Sequence, residues 1–378
     1  MPRDEEDLLA WMVLSRAPRL EVAALSRAFH DVRCTRAADL LCDARAALQH
    51  ATLPAITRSF LSDASATEPE RVWARDAHHH VISYRDDRYP RQLHGMSGAP
   101  VALYVSGDPT ILNDPQLAIV GSRNPTAAGR ATAFEFAKTL GQCGLCITSG
   151  LAEGIDSAAH RGAIAGGGVT IAVLGSGVDV VYPRGHGPLS REIEGHGALV
   201  SEFPLGTAPR RANFPRRNRI IAASSLGTLV VEAAQRSGSL ITARLAAEFN
   251  RELFAVPGSI HNPLSRGCHE LIRNGAKLTE TVADILTELN FSGFDVMPQA
   301  PQSKASGPAD APPGMDKGRK ILLDALGFDP TDLDALVVRT GWKPQTVSSM
   351  MLILELEGHV QAAPGGRYSR ASRSRGEG

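Results

Sequence analysis

The sequence predicts an α/β protein built on a parallel sheet with helices on both faces, carried between two smaller modules. Three observations predict it. Short runs that are almost wholly aliphatic recur between Leu117 and Val256, each bounded by glycine or polar residues. Stretches with helical period and ten or so residues long alternate with them. Strands apolar on both sides need cover on both faces, which helical crossovers between parallel strands supply. At 378 residues the chain also exceeds what one core fills, so two or three domains are expected.

Residues 1–66 read as an N-terminal helical (SAM-like) module, because Leu8, Leu9, Trp11, Met12 and Leu14, then Leu20, Val22, Leu25 and Phe29, recur nearer the helical period than alternation. Residues 67–290 form the α/β domain. Its first strands are expected at 81–84 and 101–105, parted by Tyr89-Pro90 and Gly98-Ala99-Pro100. Six more are expected at 117–121, 146–149, 169–174, 198–201, 226–231 and 253–256, with helices at 127–140, 154–165, 188–195 and 240–250. An amphipathic helix over 278–289 closes the domain. Residues 291–314 carry Pro298, Pro301, Pro308, Pro312 and Pro313 among small polar residues and read as a linker. In 315–370, helices near 321–326, 331–336 and 345–357 are followed by two short strands around Pro364-Gly365-Gly366, a winged-helix layout. Its third helix ends in Glu355 and Glu357 and is poor in Lys and Arg, which favours partner binding over reading a duplex. Residues 371–378 are a tail.

The 40 basic and 40 acidic residues cancel, so no global field draws the chain to nucleic acid or membrane. Five scattered cysteines make no disulfide framework, and Cys143-Gly-Leu-Cys146 lacks a second pair for zinc. Neither His78-His79-His80 nor any other set has metal-ligand spacing, and no cofactor is called for. The acidic start Met-Pro-Arg-Asp-Glu-Glu-Asp is unlike a signal peptide, and no apolar run is long enough to span a membrane, so a cytoplasmic protein is expected.

Local charge is another matter. Arg210, Arg211, Arg216, Arg217 and Arg219 fall within ten residues, interleaved with Asn213, Phe214 and Asn218, and no acidic residue follows until Glu232. This run is expected to be a stiffened, exposed loop, since burying unpaired guanidinium groups is costly. Arg pairs with phosphate through two parallel donors, and an aromatic ring offers any base a face, so the run reads as a seat for single-stranded nucleic acid. Gly121-Ser122-Arg123, at the carboxyl end of a strand, reads as a phosphate pocket, with Ser149-Gly150-Leu151 on the neighbouring turn. Gly175-Ser176-Gly177 reads as turn geometry, because the third glycine of a dinucleotide fingerprint is missing.

Four ordered motifs carry a resemblance: Ala118-Ile119-Val120-Gly121-Ser122-Arg123, Thr148 to Asp156, Phe214 to Ile221, and Ser237-Gly238-Ser239-Leu240-Ile241-Thr242-Ala243. Together they resemble the DNA-processing protein A (DprA, also called Smf) family. That resemblance implies an extended Rossmann-like domain that binds single-stranded DNA, commonly as a homodimer, and acts in natural transformation by protecting incoming strands and helping to load the RecA recombinase. It implies no catalysis. By position, Gly121, Ser122 and Arg123 hold phosphate with Gly150 beside them, Arg211 precedes a base-stacking Phe214, and Arg217, Asn218 and Arg219 line the same strand path. His269 stands where asparagine is expected. A rival reading is a phosphoribohydrolase acting on nucleoside monophosphates, which shares this domain type. Its Pro-Gly-Gly-x-Gly-Thr-x-x-Glu motif is only partly matched, by Gly227-Thr228 with Glu232 one residue late.

Overall fold

The structure is a computed structural model and describes residues 5–16, 22, 25–26, 37, 68–291, 315–327, 330–363 and 365–370. Most helices expected in 1–66, the proline-rich linker and the tail lie outside the described residues.

In chain order, α1 (Glu5–Arg16) and α2 (Glu68–Trp73) precede β1 (His79–Ser83), β2 (Ala102–Gly107) and β3 (Gln116–Gly121). Then come α3 (Ala127–Gln142), β4 (Cys146–Ser149), α4 (Ile155–Ala165), β5 (Thr170–Val173), α5 (Gly187–His196) and β6 (Gly197–Ser201). The second half continues through α6 (Asn213–Ser224), β7 (Gly227–Val231), α7 (Ser239–Glu248), β8 (Glu252–Ala255), α8 (Arg266–Arg273), β9 (Lys277–Leu278) and α9 (Val282–Glu288). All nine strands join one sheet in the order β1-β2-β6-β5-β4-β3-β7-β8-β9. From β6 across to β9 every pairing is parallel, while β1 and β2 extend the β6 edge antiparallel.

The sheet is covered on both faces, and the alternation within β3 shows how. Leu117 and Ile119 face α3, α4 and α9 through Ala133, Leu140, Ala159 and Ile285. Ala118 and Val120 face α6, α7 and α8 through Ile220, Ile221, Ala243 and Cys268. Each fully buried Leu or Ile contributes roughly 1.5–3 kcal/mol, so these two layers dominate the domain's stability. Cys143, Cys146 and Cys268 are buried thiols. At the amino end, Arg16 Nε donates to Oε1 of the buried Glu70 at 2.8 Å and ties α1 to α2.

Two expectations are corrected. The arginine-rich run is not a loop throughout: from Asn213 onward it is α6. Pro215 falls in the first turn, where its missing N–H costs nothing. Arg217, Ile220, Ile221 and Ser224 recur at helical spacing and are buried. The segment 278–289 is not one helix, since Leu278 belongs to β9 and the helix opens at a capping box made by Thr281 and Asp284. Helix α8 had no counterpart in the sequence reading.

The C-terminal module is a winged helix: α10 (Met315–Leu326), β10 (Thr331–Asp332), α11 (Leu333–Thr340), α12 (Pro344–Leu356), β11 (Val360–Ala363) and β12 (Arg367–Arg370). Its sheet runs β10-β12-β11. Thr331 and Asp332 are strand, and the Asp332 carboxylate caps α11 by accepting from Ala335 N at 2.7 Å. Among the described residues no helix is long and apolar enough to cross a membrane.

Candidate nucleic-acid interface

The strand order reverses between β3 and β7, and a cleft of about 780 Å³ opens beyond the carboxyl ends of these strands. Gly121, Ser122 and Arg123 enter it from the end of β3; Phe214, Arg217 and Asn218 enter from α6, with Arg211 just ahead of that helix. The Arg123 guanidinium carbon lies 5.4 Å from the centre of the Phe214 ring. Residues about 90 apart in sequence thus meet in one groove.

Its floor is a set of buried charges. Arg217 is 4% exposed, and its Nη1 donates to Gly150 O at 2.6 Å and, more closely, to Val173 O. A side chain at position 150 would collide with this guanidinium, so glycine is required there by the arginine's approach. Gly150 therefore supports the cleft from behind. Burial pulls Arg217 down to about 10, against the opposing pull of Asp156, so it stays charged at neutral pH. Burial pushes the Asp156 carboxyl up, while the Arg217 charge and N–H bonds from Ala152 at 3.3 Å and Gly150 at 3.2 Å draw it back. Beneath them His160 is wholly buried and held by burial down to about 3, hence neutral. The hydroxyl of Thr170 donates to Ile147 O, so it accepts from His160 Nδ1 at 2.7 Å.

The helix also re-sorts the arginines. Successive residues on a helix point about 100° apart, so 217, 218 and 219 cannot all face one strand path. Asn218, one turn after Phe214, reaches the cleft. Arg219 does not: it pairs with Glu202 and donates to Gly98 O. Arg216 Nε donates to the same Glu202 carboxylate at 3.0 Å. Local carboxylates missing from the sequence run are thus supplied by Glu202, just past β6. Burial pushes its carboxyl up and the two arginines oppose that shift.

The rim is different. Arg123 and Arg211 are exposed, and Phe214 is half-buried above Gly175, where an added Cβ would come within 2.9 Å of the ring. Gly175 therefore does more than shape a turn. Asn213 Nδ2 donates to its carbonyl at 3.0 Å and fixes the start of α6. The phosphate pocket also needs correcting: the Ser122 N–H is not free, since it donates to Glu232 O at 2.7 Å. What remains for an anion is the Arg123 side chain beside Ser122. Sequence reasoning passed over Tyr182 and Arg236, which line the same cleft; Ser237 and Thr242 do too, and there the quoted motif was the signal.

Glu232 stands apart. It follows β7 in a left-handed conformation with φ 52°. Its carboxylate accepts from Thr126 N at 2.8 Å, Thr126 Oγ1 at 2.6 Å and Asn262 Nδ2 at 3.3 Å. It lines a separate cavity of about 150 Å³ rather than the cleft. Gly227 and Thr228 begin β7 and are buried, so they form no phosphate loop. His269, whose Nε2 is 3.0 Å from Gly258 O, also lies outside the cleft. Among the described residues no cluster of His, Cys, Asp and Glu could hold a metal ion.

The family model for DNA recombination-mediator protein A matches residues 80–290, more than half of the chain. The chain belongs to this family. A second model, the DprA winged helix domain, matches residues 306–366. Protein Smf of Escherichia coli is 44% identical over 308 residues, 81% of this chain and 81% of the relative. The DNA processing protein DprA of Streptococcus pneumoniae is 45% identical over 210 residues, 56% of this chain and 74% of its own. Among solved structures, the X-ray structure of DNA processing protein A from S. pneumoniae superposes with a TM-score of 0.64 at 36% identity, covering 75% of this chain and 97% of that one. DNA processing protein A from Helicobacter pylori, a structure described for its unique single-stranded DNA binding mode, gives a TM-score of 0.52 at 28% identity, covering 57% and 98%. The family member described here thus combines a Rossmann-like sheet with a winged helix.

Proposed function

We propose that this chain binds single-stranded DNA in the cleft between β3, α6 and α7, and that it acts without catalysis. The observation that carries the reading is the convergence of Arg123 with Phe214, 5.4 Å from ring centre to guanidinium carbon, in one open groove. Arg123 and Arg211 take phosphates, Phe214 offers a face to a base, and Asn218 hydrogen-bonds along the same path. Gly121, Gly150, Arg217 and Arg219 set the position of these groups from beneath. The single-stranded DNA binding mode of the H. pylori relative supports the same reading. In the cell this activity protects strands taken up in natural transformation and helps load RecA, with the chain acting in the cytoplasm as a homodimer. A hydrolytic role gains no support from Glu232, whose carboxylate is occupied by Thr126 and Asn262.

The test is a titration of the full chain with oligo-dT, repeated with RecA present. Phe214→Ala is expected to weaken binding by about 1–3 kcal/mol, the usual worth of a base stacked on a ring. Unchanged affinity in Phe214→Ala, Arg123→Ala and Arg211→Ala alike would remove the site.

A further inference from the structure

The cleft holds a second ring. Tyr182, between β5 and α5, lines the groove alongside Phe214. It is 46% exposed, the one aromatic ring among the exposed large hydrophobic side chains of the described residues. Phe214 is half-buried, with Gly175 below it and the Arg123 guanidinium over it. The two ring centres are 5.8 Å apart and their planes meet at 49°.

That geometry decides what the pair can do. A base inserted between two rings needs them parallel and about 7–8 Å apart, two stacking distances. These rings are too close and too tilted for that. They already touch one another, and both line the groove, Tyr182 as the exposed ring and Phe214 beneath the Arg123 side chain. An exposed ring held beside a second ring is what an unstacked nucleobase recognises, because every base has a π-face to offer.

We infer that Tyr182 is a second base platform, so that the cleft seats a two-base step of an unpaired strand, one base on Phe214 and its neighbour on Tyr182. The inference rests on the single-stranded DNA reading above. The tilt between the rings then imposes a splay between adjacent bases, which a duplex, with its bases stacked parallel, does not present. Tyr182 thereby contributes to a preference for unpaired DNA, and the exposed Arg123 side chain, which gives up its place over the Phe214 ring to the incoming base, is free to take the phosphate of that step.

The experiment compares two polymers of equal length, oligo-dT and an abasic deoxyribose-phosphate chain, against the full-length protein. Tyr182→Ala is expected to weaken oligo-dT binding roughly tenfold and to leave abasic binding unchanged, since only the first polymer has bases to stack. Tyr182→Phe keeps the ring and is expected to bind oligo-dT like the parent. Thermal unfolding of each variant checks the fold. If Tyr182→Ala binds oligo-dT as the parent does while Phe214→Ala does not, the second platform is refuted and the DNA-binding reading stands. Equal losses on both polymers also refute it, because they assign Tyr182 a role that needs no base. If neither ring matters the second platform is refuted, and the functional reading falls with it only if Arg123→Ala and Arg211→Ala also bind oligo-dT as the parent does.

Discussion

The arginines around the cleft divide into two regions with opposite physics. Arg217 in the floor and Arg219 outside the cleft are withdrawn from water and answered by Gly150, Val173, Asp156 and Glu202. On the rim, Arg123 and Arg211 are exposed, and neither forms an ion pair among the described residues. Fixed geometry comes from the first pair and free charge from the second. A cluster of like residues in a sequence therefore says little about which members meet a ligand until the helix that sorts them is known.

The contrast can be broken at its strongest point first. Arg217→Met removes a buried guanidinium and strands Asp156 and two carbonyl oxygens, so unfolding in urea is expected to show a loss of about 3–5 kcal/mol. A loss below 1 kcal/mol, in the range of surface substitutions, would mean that the floor is not structural. Next is the dependence on acid. His160 is held down to about 3 when folded, against 6.5 for the free side chain, so the unfolded chain binds its proton first. The stability it supports is complete above pH 6.5 and declines as pH falls toward 3, by about 1.4 kcal/mol per unit. Asp156 and Glu202, both pushed up by burial, act in the opposite direction. The difference between parent and His160→Gln isolates the imidazole, and stability curves of equal slope between pH 6 and 4 would contradict its assignment as a buried neutral ring.

The smallest effects belong to the rim. Arg123→Ala and Arg211→Ala are each expected to flatten the plot of log affinity against log salt by about 0.7, one phosphate contact apiece. Their melting temperatures should match the parent, because neither side chain is buried. A salt slope that stays unchanged would show that these arginines meet no phosphate.

Much of this was legible beforehand because aliphatic strands and helical spacing report burial directly. Strands β3 to β8 fall within a residue of where the pattern put them, since Val, Ile and Leu runs between glycines admit few other readings. Helix α6 was hidden by composition: its buried face at 217, 220, 221 and 224 has the right period, but its first member is an arginine. Glu202, 14 residues before Arg216, could be matched to it only through the fold. The attachment of β1 and β2 to the β6 edge was equally invisible, because strand pairing is long-range and leaves no mark in either segment. Phe214 and Arg123 were found by residue type, and Tyr182 was missed because a lone tyrosine beside proline looks like any turn.

The bond from Arg217 to the ends of β4 and β5 has one more consequence. A latch that ties a helix to two strand tips leaves the groove above it already in shape before any polymer arrives. Capture then demands order chiefly from the nucleotides and the exposed rim side chains, whose lost freedom is the main entropic toll, and encounter needs no waiting for the backbone to rearrange.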